Sequence, residues 1–362
     1  MGFNCGIVGL PNAGKSTIFN ALTSADAEVA SYQFCTINPH QGIASVPDQR
    51  LNDIAKITHP QKVTTTTLEV WDIAGLVKGA STGEGLGNQF LGNIRPVDAL
   101  IHVVRCFEDK NVAYEGENIN PIRDVEIINT ELLLSDIEIV SRRVSKISKL
   151  AKTGDKQARE ELALLAGFEA DLNKGIPARS IADINDDYIQ RLALLTIKPV
   201  LYVANVSEPG IDISSEHAQV LRDLAGNEKV PVVTICGKLE DELQEISGEE
   251  KQVFLREYGI ERSGLEDLIS QGYRVLDLIT FYTTVSDELR AWTVKKGTKA
   301  PQAAGKIHTD MEKGFIKAEV ISYENFIVAG SLHHAREEGH LALEGKDYDV
   351  KDGDIITFKF NV

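Results

Sequence analysis

Gly9, Gly14, Lys15 and Ser16 occupy the four fixed positions of a G-x-x-x-x-G-K-[ST] motif. Its chemistry is phosphate binding. The two glycines let the backbone curl so that successive N–H groups face one phosphate. A lysine at this spacing bridges the outer phosphates, and the Ser16 hydroxyl can hold Mg²⁺. Asn12, Ala13, Gly14, Lys15, Ser16 and Thr17 are therefore candidate nucleotide contacts. Residues 3–8 are a short apolar run that predicts a buried strand, and residues 16–22 predict a helix. The phosphate is thereby expected at a helix N-terminus.

Asp72 and Gly75 form a D-x-x-G pattern after the alternating stretch 65–70. Asp72 is expected to reach Mg²⁺, usually through water, and the Gly75 N–H to face the γ-phosphate. Lys15, Asp72 and Gly75 are thus the candidate catalytic groups. Between the two motifs lies Phe34-Cys35-Thr36. Thr36 is the candidate second hydroxyl ligand of Mg²⁺ in a first switch loop, the alternative being a solvated turn residue.

The base-reading segment follows the apolar stretch 198–204 and runs Asn205-Val206-Ser207-Glu208. A guanine-specific site has N-K-x-D, whose carboxylate accepts from guanine N1–H and the 2-amino group. Here Val206 replaces lysine and Glu208 replaces aspartate. Adenine has an acceptor at N1, which a carboxylate repels, whereas the Asn205 amide can pair with N7 and the 6-amino group. Backbone at Val206 is the candidate for the remaining contact. ATP is favoured over GTP, with a longer-reaching Glu208 that still takes guanine as the alternative. The segment 235–238, Ile-Cys-Gly-Lys, departs from the S-A-K of many GTPases and weakens strict guanine selectivity further.

Hydrolysis is expected to be slow. Ras-like GTPases place a water-orienting glutamine after D-x-x-G, and this chain has Leu76. Two compensations are available: the Asn12 side-chain carbonyl could help hold K⁺ near the phosphates, or Asn12 could simply brace the loop. The glycine-rich stretch 79–87 could close over the site.

The elements around these motifs imply three pieces of chain. Strands alternating with helices over residues 1–122 and 196–276 predict a discontinuous, doubly wound α/β nucleotide-binding domain. Residues 123–195 predict an inserted antiparallel helical coiled-coil arm. Leu133, Ile137, Val140, Val144, Ile147 and Ala151 form one seam; Leu162, Leu165, Phe168 and Leu172 form a second after the break at 153–156. Such an arm serves a large partner or acts as a rigid brace. Residues 277–362 change character, with strands expected at 289–294, 315–322 and 355–360 around a short helix near 302–307. His308 is expected to serve a helix end by hydrogen bonding. The adjacent His333 and His334 lack the spacing of a ligand pair on one helical face, so no metal beyond Mg²⁺ and K⁺ is implied.

The chain has 362 residues, 43% of them apolar, enough to bury a sizeable core in two or three domains. Cys5, Cys35, Cys106 and Cys236 are scattered without C-x-x-C or His spacing, which points to free thiols in a reducing compartment. With no cationic leader and no membrane-length apolar run, a cytoplasmic protein is expected. The net charge of −16 excludes indiscriminate coating of nucleic acid, and no DNA-specific or membrane binding is expected. Two basic clusters still permit RNA contact: Arg142, Arg143, Lys146, Lys149 and Lys152 on the arm, and Lys295 to Lys317 near the C-terminus.

With these motifs assembled, the chain resembles the YchF group of Obg-like ATPases over nearly its whole length. The resemblance rests on residues 9–16, 72–80, 83–91, 205–208 and 300–310. It implies that Leu76 follows D-x-x-G as in the family, that Asn205 and Glu208 correspond to its N-x-x-E, and that the C-terminal piece is a TGS domain, a ubiquitin-like β-grasp. It further implies ATP preference and association with the ribosome or ribosomal RNA. The rival readings are an Obg-type GTPase and a non-enzymatic, nucleotide-gated adaptor.

Overall fold

The computed structural model describes residues 3–24, 40–73, 86–114, 116, 118–181, 187–208, 215–246, 248–260, 262–285 and 287–361. Thr36, Gly75 and Leu76, with residues 79–85 of the glycine-rich stretch, lie outside that set. The chain divides into two compact units, Met1–Ala44 with Glu69–Gly272, and Ser45–Leu68 with Tyr273–Val362.

The first unit is built on a sheet of β1 (Asn4–Val8), β2 (Gln41–Ser45), β4 (Thr67–Asp72), β5 (Ala99–Arg105), β6 (Val200–Asn205) and β7 (Val232–Ile235). Their order is β2-β4-β1-β5-β6-β7. β1 pairs in parallel with β4 and β5, and β5–β6 and β6–β7 are also parallel. β5 and β6 are buried at every position, as strands covered on both faces must be. The helices are α1 (Lys15–Ser24), α3 (Leu86–Ile94), α7 (Glu216–Glu228), α8 (Gly237–Glu242), α9 (Gly248–Glu257) and α10 (Gly264–Val275). Cys5, Cys106 and Cys236 are free and buried, and burial pushes the thiols of Cys5 and Cys106 up to about 12.

The arm consists of α4 (Pro121–Ala151), α5 (Lys156–Asn173) and the short α6 (Asp187–Gln190). Its own core holds Val140, Ile147, Ala151, Leu165, Phe168 and Leu172, with Leu133, Ile137, Val144 and Leu162 packed against it. These are the two seams expected from the sequence. The expected boundary at 122/123 is not a break, however. α4 starts at Pro121, and its first turns put Val125, Ile128 and Leu132 into the nucleotide-domain core. One continuous helix thus serves two cores. Among the described residues no helix is long and apolar enough to cross a membrane.

The second unit contains β3 (Lys62–Thr64), β8 (Leu278–Val285), β9 (Glu288–Lys295), β10 (Phe315–Ser322), β11 (Ala342–Glu344) and β12 (Asp354–Phe360). The order is β11-β10-β12-β8-β9-β3. β8 and β9 form an antiparallel hairpin, and β12 lies parallel to β8, which gives the β-grasp. α11 (Ala300–Ile307) and α12 (Thr309–Lys313) accompany one core, and α2 (Gln49–Thr58), α13 (Tyr323–Ala329) and α14 (Leu332–Glu337) the other. His308 takes its helix-end role: Nδ1 accepts from the Asp310 N–H at 3.2 Å and caps α12.

The partition departs from the expected one at residues 45–68. β3 pairs in parallel with β9, and Leu51 and Ile54 of α2 share a core with Tyr282, Leu289 and Phe326. An amphipathic helix announces that one face is buried but not against which core. A three-residue strand is too short to show a period at all. Tyr273 also joins this unit, where its hydroxyl meets Thr66 at 3.1 Å.

One buried group in β5 gives the first unit a pH dependence. His102 is 2% exposed and lies edge-on to Tyr202; its Nε2 has no partner among the described residues. Burial first, then the charges of Lys15 and Arg179, push its pKa from 6.5 down to about 3. Because the folded value is depressed, the associated stability is complete above pH 6.5 and is lost as pH falls toward 3. Relative to His102→Leu, the wild type should lose up to roughly 1.4 kcal/mol per pH unit in that window. Urea titrations at several pH values check this, and parallel curves for the two proteins would rule His102 out as the cause.

Candidate functional site

β1 ends in the loop that the motif forms, and α1 begins at its lysine. Gly9 (φ 153°) and Gly14 (φ 97°) adopt backbone that side chains rarely tolerate. A Cβ at Gly9 would strike the Val103 carbonyl, and one at Gly14 would strike the Asn205 amide. The loop thus needs glycine for close approach as well as for curvature.

Lys15 is 8% exposed, and its Nζ donates to the Leu10 carbonyl at 2.9 Å, bent back along the loop. Burial lowers its pKa, opposed by the charge of Asp72. The Ser16 hydroxyl donates to Asp72 Oδ2 at 3.1 Å. Asp72 Oδ1 is buried without a partner among the described residues. A hydroxyl and a carboxylate with a spare buried oxygen are hard donors of the kind Mg²⁺ takes. Sequence spacing alone is thus converted into contact: β4 lies parallel to β1, and register pairs Ile7 with Asp72.

The base-side residues are arranged differently from the sequence expectation. Asn205 is 5% exposed; its Nδ2 donates to the Ala13 carbonyl at 2.9 Å, and its Oδ1 accepts from the Gly237 N–H at 3.2 Å. It therefore braces the phosphate loop against the start of α8, and only its second hydrogen and second lone pair remain for a base. Val206 puts its side chain into the core and donates its N–H to the Ile235 carbonyl at 2.8 Å. Its N–H is thereby not available to a base. Glu208 pairs with Lys238 at 2.7 Å, which raises the lysine pKa through that hydrogen bond.

Asn12, at φ 62°, donates from Nδ2 to the Ala113 carbonyl at 3.1 Å. This contact is of the bracing kind, and it engages the amide nitrogen. The receiving loop is organised by Arg105, a residue not singled out from the sequence. At 2% exposure its guanidinium donates to the carbonyls of Phe107, Asp109, Val112 and Ala113 and lies over the Phe107 ring at 4.5 Å. Tyr114 then donates to Asp124 Oδ1 at 3.0 Å on α4. The sequence signal was an arginine ending an otherwise apolar strand, a buried cation that must find acceptors. Phosphate loop, Arg105 loop and arm helix are thereby joined by consecutive contacts.

Away from this region, the exposed His333, His334 and Glu337 bring one ligand atom each within 4.8 Å of one another. Adjacency in sequence does not keep the two histidines apart, contrary to the expectation from helical spacing. His333 already pairs with Glu337 at 3.5 Å.

Residues 278–361 match the family YchF-GTPase_C, described as "Protein of unknown function (DUF933)". Residues 4–140 match MMR_HSR1, described as "50S ribosome-binding GTPase". The chain is 49% identical to the "Ribosome-binding ATPase YchF" of Bacillus subtilis (strain 168), covering 100% of both chains. It is 46% identical to the protein of that name from Mycoplasma genitalium, over 99% of both. Among solved structures, the Schizosaccharomyces pombe YchF GTPase superposes with a TM-score of 0.89 at 36% identity, covering 99% of this chain and 97% of that one. A GTP binding protein from Pyrococcus horikoshii OT3 matches at TM-score 0.63 and 20% identity over 99% and 100% of the chains, a likeness of fold alone.

Proposed function

The chain belongs to the YchF family, and from that premise we propose that it binds ATP with Mg²⁺, hydrolyses it slowly and acts on the ribosome as a nucleotide-dependent switch. The observation that carries this reading is the Ser16–Asp72 contact beside the buried Lys15. In this reading Lys15 neutralises the outer phosphates. Ser16 and Thr36 would ligate Mg²⁺, with Asp72 in support, and the Gly75 N–H would face the γ-phosphate. When bound, Mg²⁺ offsets charge on the phosphate oxygens. Leu76 cannot orient water, which makes turnover slow, and the Asn12 Oδ1 is the group offered to K⁺. The cytoplasm, where ribosomes and reduced thiols coexist, is the proposed location.

The relatives' names divide over the base. Those from bacteria say ATPase, while the fission yeast structure and the N-terminal family description say GTPase. ATP is supported by the replacement of the guanine pattern's lysine and aspartate with Val206, whose side chain is in the core, and Glu208, which is paired with Lys238. Competition for a fluorescent ATP analogue tests the choice. Unlabelled ATP should displace it at roughly 10- to 100-fold lower concentration than GTP, the range that one well-made base contact provides. A GTP preference would overturn the base assignment, and no displacement by either nucleotide would overturn the site. Turnover with and without K⁺ and ribosomes then separates an ATPase from a silent adaptor.

The proposed division of labour gives nucleotide binding to the first unit without its arm, and readout to the arm (α4 to α6) and to the second unit, residues 45–68 with 273–362.

A further inference from the structure

One helix of the second unit gathers metal-binding side chains that the nucleotide site does not use. Residues 333–340 hold three of the chain's eight histidines, and His333 and His334 sit with Glu337 on α14. One ligand atom from each lies within 4.8 Å of the other two. The side chain of His333 is 78% exposed and that of Glu337 64%, so neither serves to fill a core.

The packing of α14 explains why the three converge. Ala335 is buried in the core that holds Tyr282 and Phe326, and Leu332 packs against it. The Ser331 hydroxyl fixes the helix start by accepting from the His334 N–H at 3.1 Å. With that side pinned inward, residues 333, 334 and 337 are left exposed. Glu337 follows His333 by four residues and His334 by three, the two spacings that make neighbours on a helix surface. The imidazole rings stand edge to face with centroids 6.1 Å apart, both within reach of one carboxylate. The single arginine of α14 is engaged elsewhere, Arg336 pairing with Glu319 of β10 at 3.4 Å. An ordinary surface ion pair between His333 and Glu337 accounts for less. Exposed pairs contribute little to stability, and such a pair gives His334 no part.

Two imidazoles and a carboxylate suit transition metals, whereas Mg²⁺ and Ca²⁺ take oxygen donors. Around a tetrahedral Zn²⁺, with bonds of about 2.0–2.1 Å, neighbouring ligand atoms stand about 3.3 Å apart. Exposed side chains change rotamer freely, and such rotation closes the remaining distance without moving the backbone. We propose that His333, His334 and Glu337 form a binding site for a divalent transition-metal ion, with the remaining coordination open to water. The site belongs to the second unit and does not depend on the nucleotide reading.

Zn²⁺ is the probe, titrated calorimetrically into the untagged full chain after chelator treatment and under reducing conditions. Wild type should bind one Zn²⁺ per chain that His333→Ala/His334→Ala does not bind. Glu337→Gln should weaken that binding by at least about 10-fold, the lower end of what even an outer-shell partner of a ligand contributes. His340→Ala is the control. It removes a nearby imidazole that pairs with Glu338 rather than with the cluster, and should leave affinity unchanged. All these side chains are exposed, so the metal-free variants should melt like wild type and bind ATP equally well. Equal Zn²⁺ binding by wild type and the double variant would overturn the proposal. So would full affinity in Glu337→Gln, an equal loss in His340→Ala, or displacement of Zn²⁺ by excess Mg²⁺. Half-stoichiometric binding with a doubling of mass on sedimentation would place the ligands on two copies and overturn the single-chain site.

Discussion

Lys15→Ala is expected to weaken ATP binding by roughly 10²- to 10³-fold, the effect of deleting a buried cation whose partner is a charged phosphate. The expectation follows from position. Lys15 opens α1, is nearly inaccessible, and in this structure spends its ammonium on the Leu10 carbonyl. That bond holds the side chain along the loop, poised to exchange a neutral acceptor for an anionic one. Folding should survive, because the substitution removes a charge that burial already disfavours and leaves one carbonyl to be satisfied by water. Calorimetric titration with ATP and a thermal melt make the check together. A variant that melts like wild type and binds ATP like wild type would remove Lys15 from the site.

Asp136→Ala should be the most destabilising single change outside the nucleotide site. Asp136 is fully buried on α4 and accepts three hydrogen bonds, from the N–H groups of Leu195 and Thr196 and from the Thr196 hydroxyl at 2.6 Å. Thr196 in turn accepts at its carbonyl from the Arg179 N–H at 3.1 Å. One carboxylate thus ties the outgoing arm helix to the returning chain just before β6. Burial raises its pKa, and the Thr196 and Leu195 bonds oppose that. Alanine leaves three donors unpaired in a dry site, at a cost of roughly 3–5 kcal/mol. Urea unfolding measures it, and limited proteolysis should show cleavage in the arm before the nucleotide domain. A loss below about 1 kcal/mol, the scale of an ordinary exposed hydrogen bond, would mean that the clamp is not what fixes the root. Asp136→Asn, which keeps an acceptor, should lie between the two.

The phosphate site was legible because its chemistry is written in consecutive residues. Gly9, Gly14, Lys15 and Ser16 act through spacing along one loop, and local backbone geometry needs little else to place them. The arm seams were legible for a related reason, since a period of three and four survives whatever the helix packs against. Asn205 shows where this kind of reading ends. Its amide suits adenine by composition, yet the fold engages it with Ala13 and Gly237, partners 192 and 32 residues away. Arg105 was missed because its acceptors are backbone carbonyls, which carry no residue signature.

What the sequence by itself determined is therefore the local grammar: a phosphate loop between strand and helix, a D-x-x-G at a strand end, two heptad seams and a terminal change of character. The tertiary structure alone decided which distant pieces share a core. Residues 45–68 leave the nucleotide unit because β3 finds an edge on β9 and α2 finds an apolar surface near Tyr282. α4 runs unbroken through two cores for the same reason. Burial of apolar surface is non-directional and indifferent to distance along the chain. A short window of sequence records that a face must be buried, and only the folded chain supplies the surface that buries it.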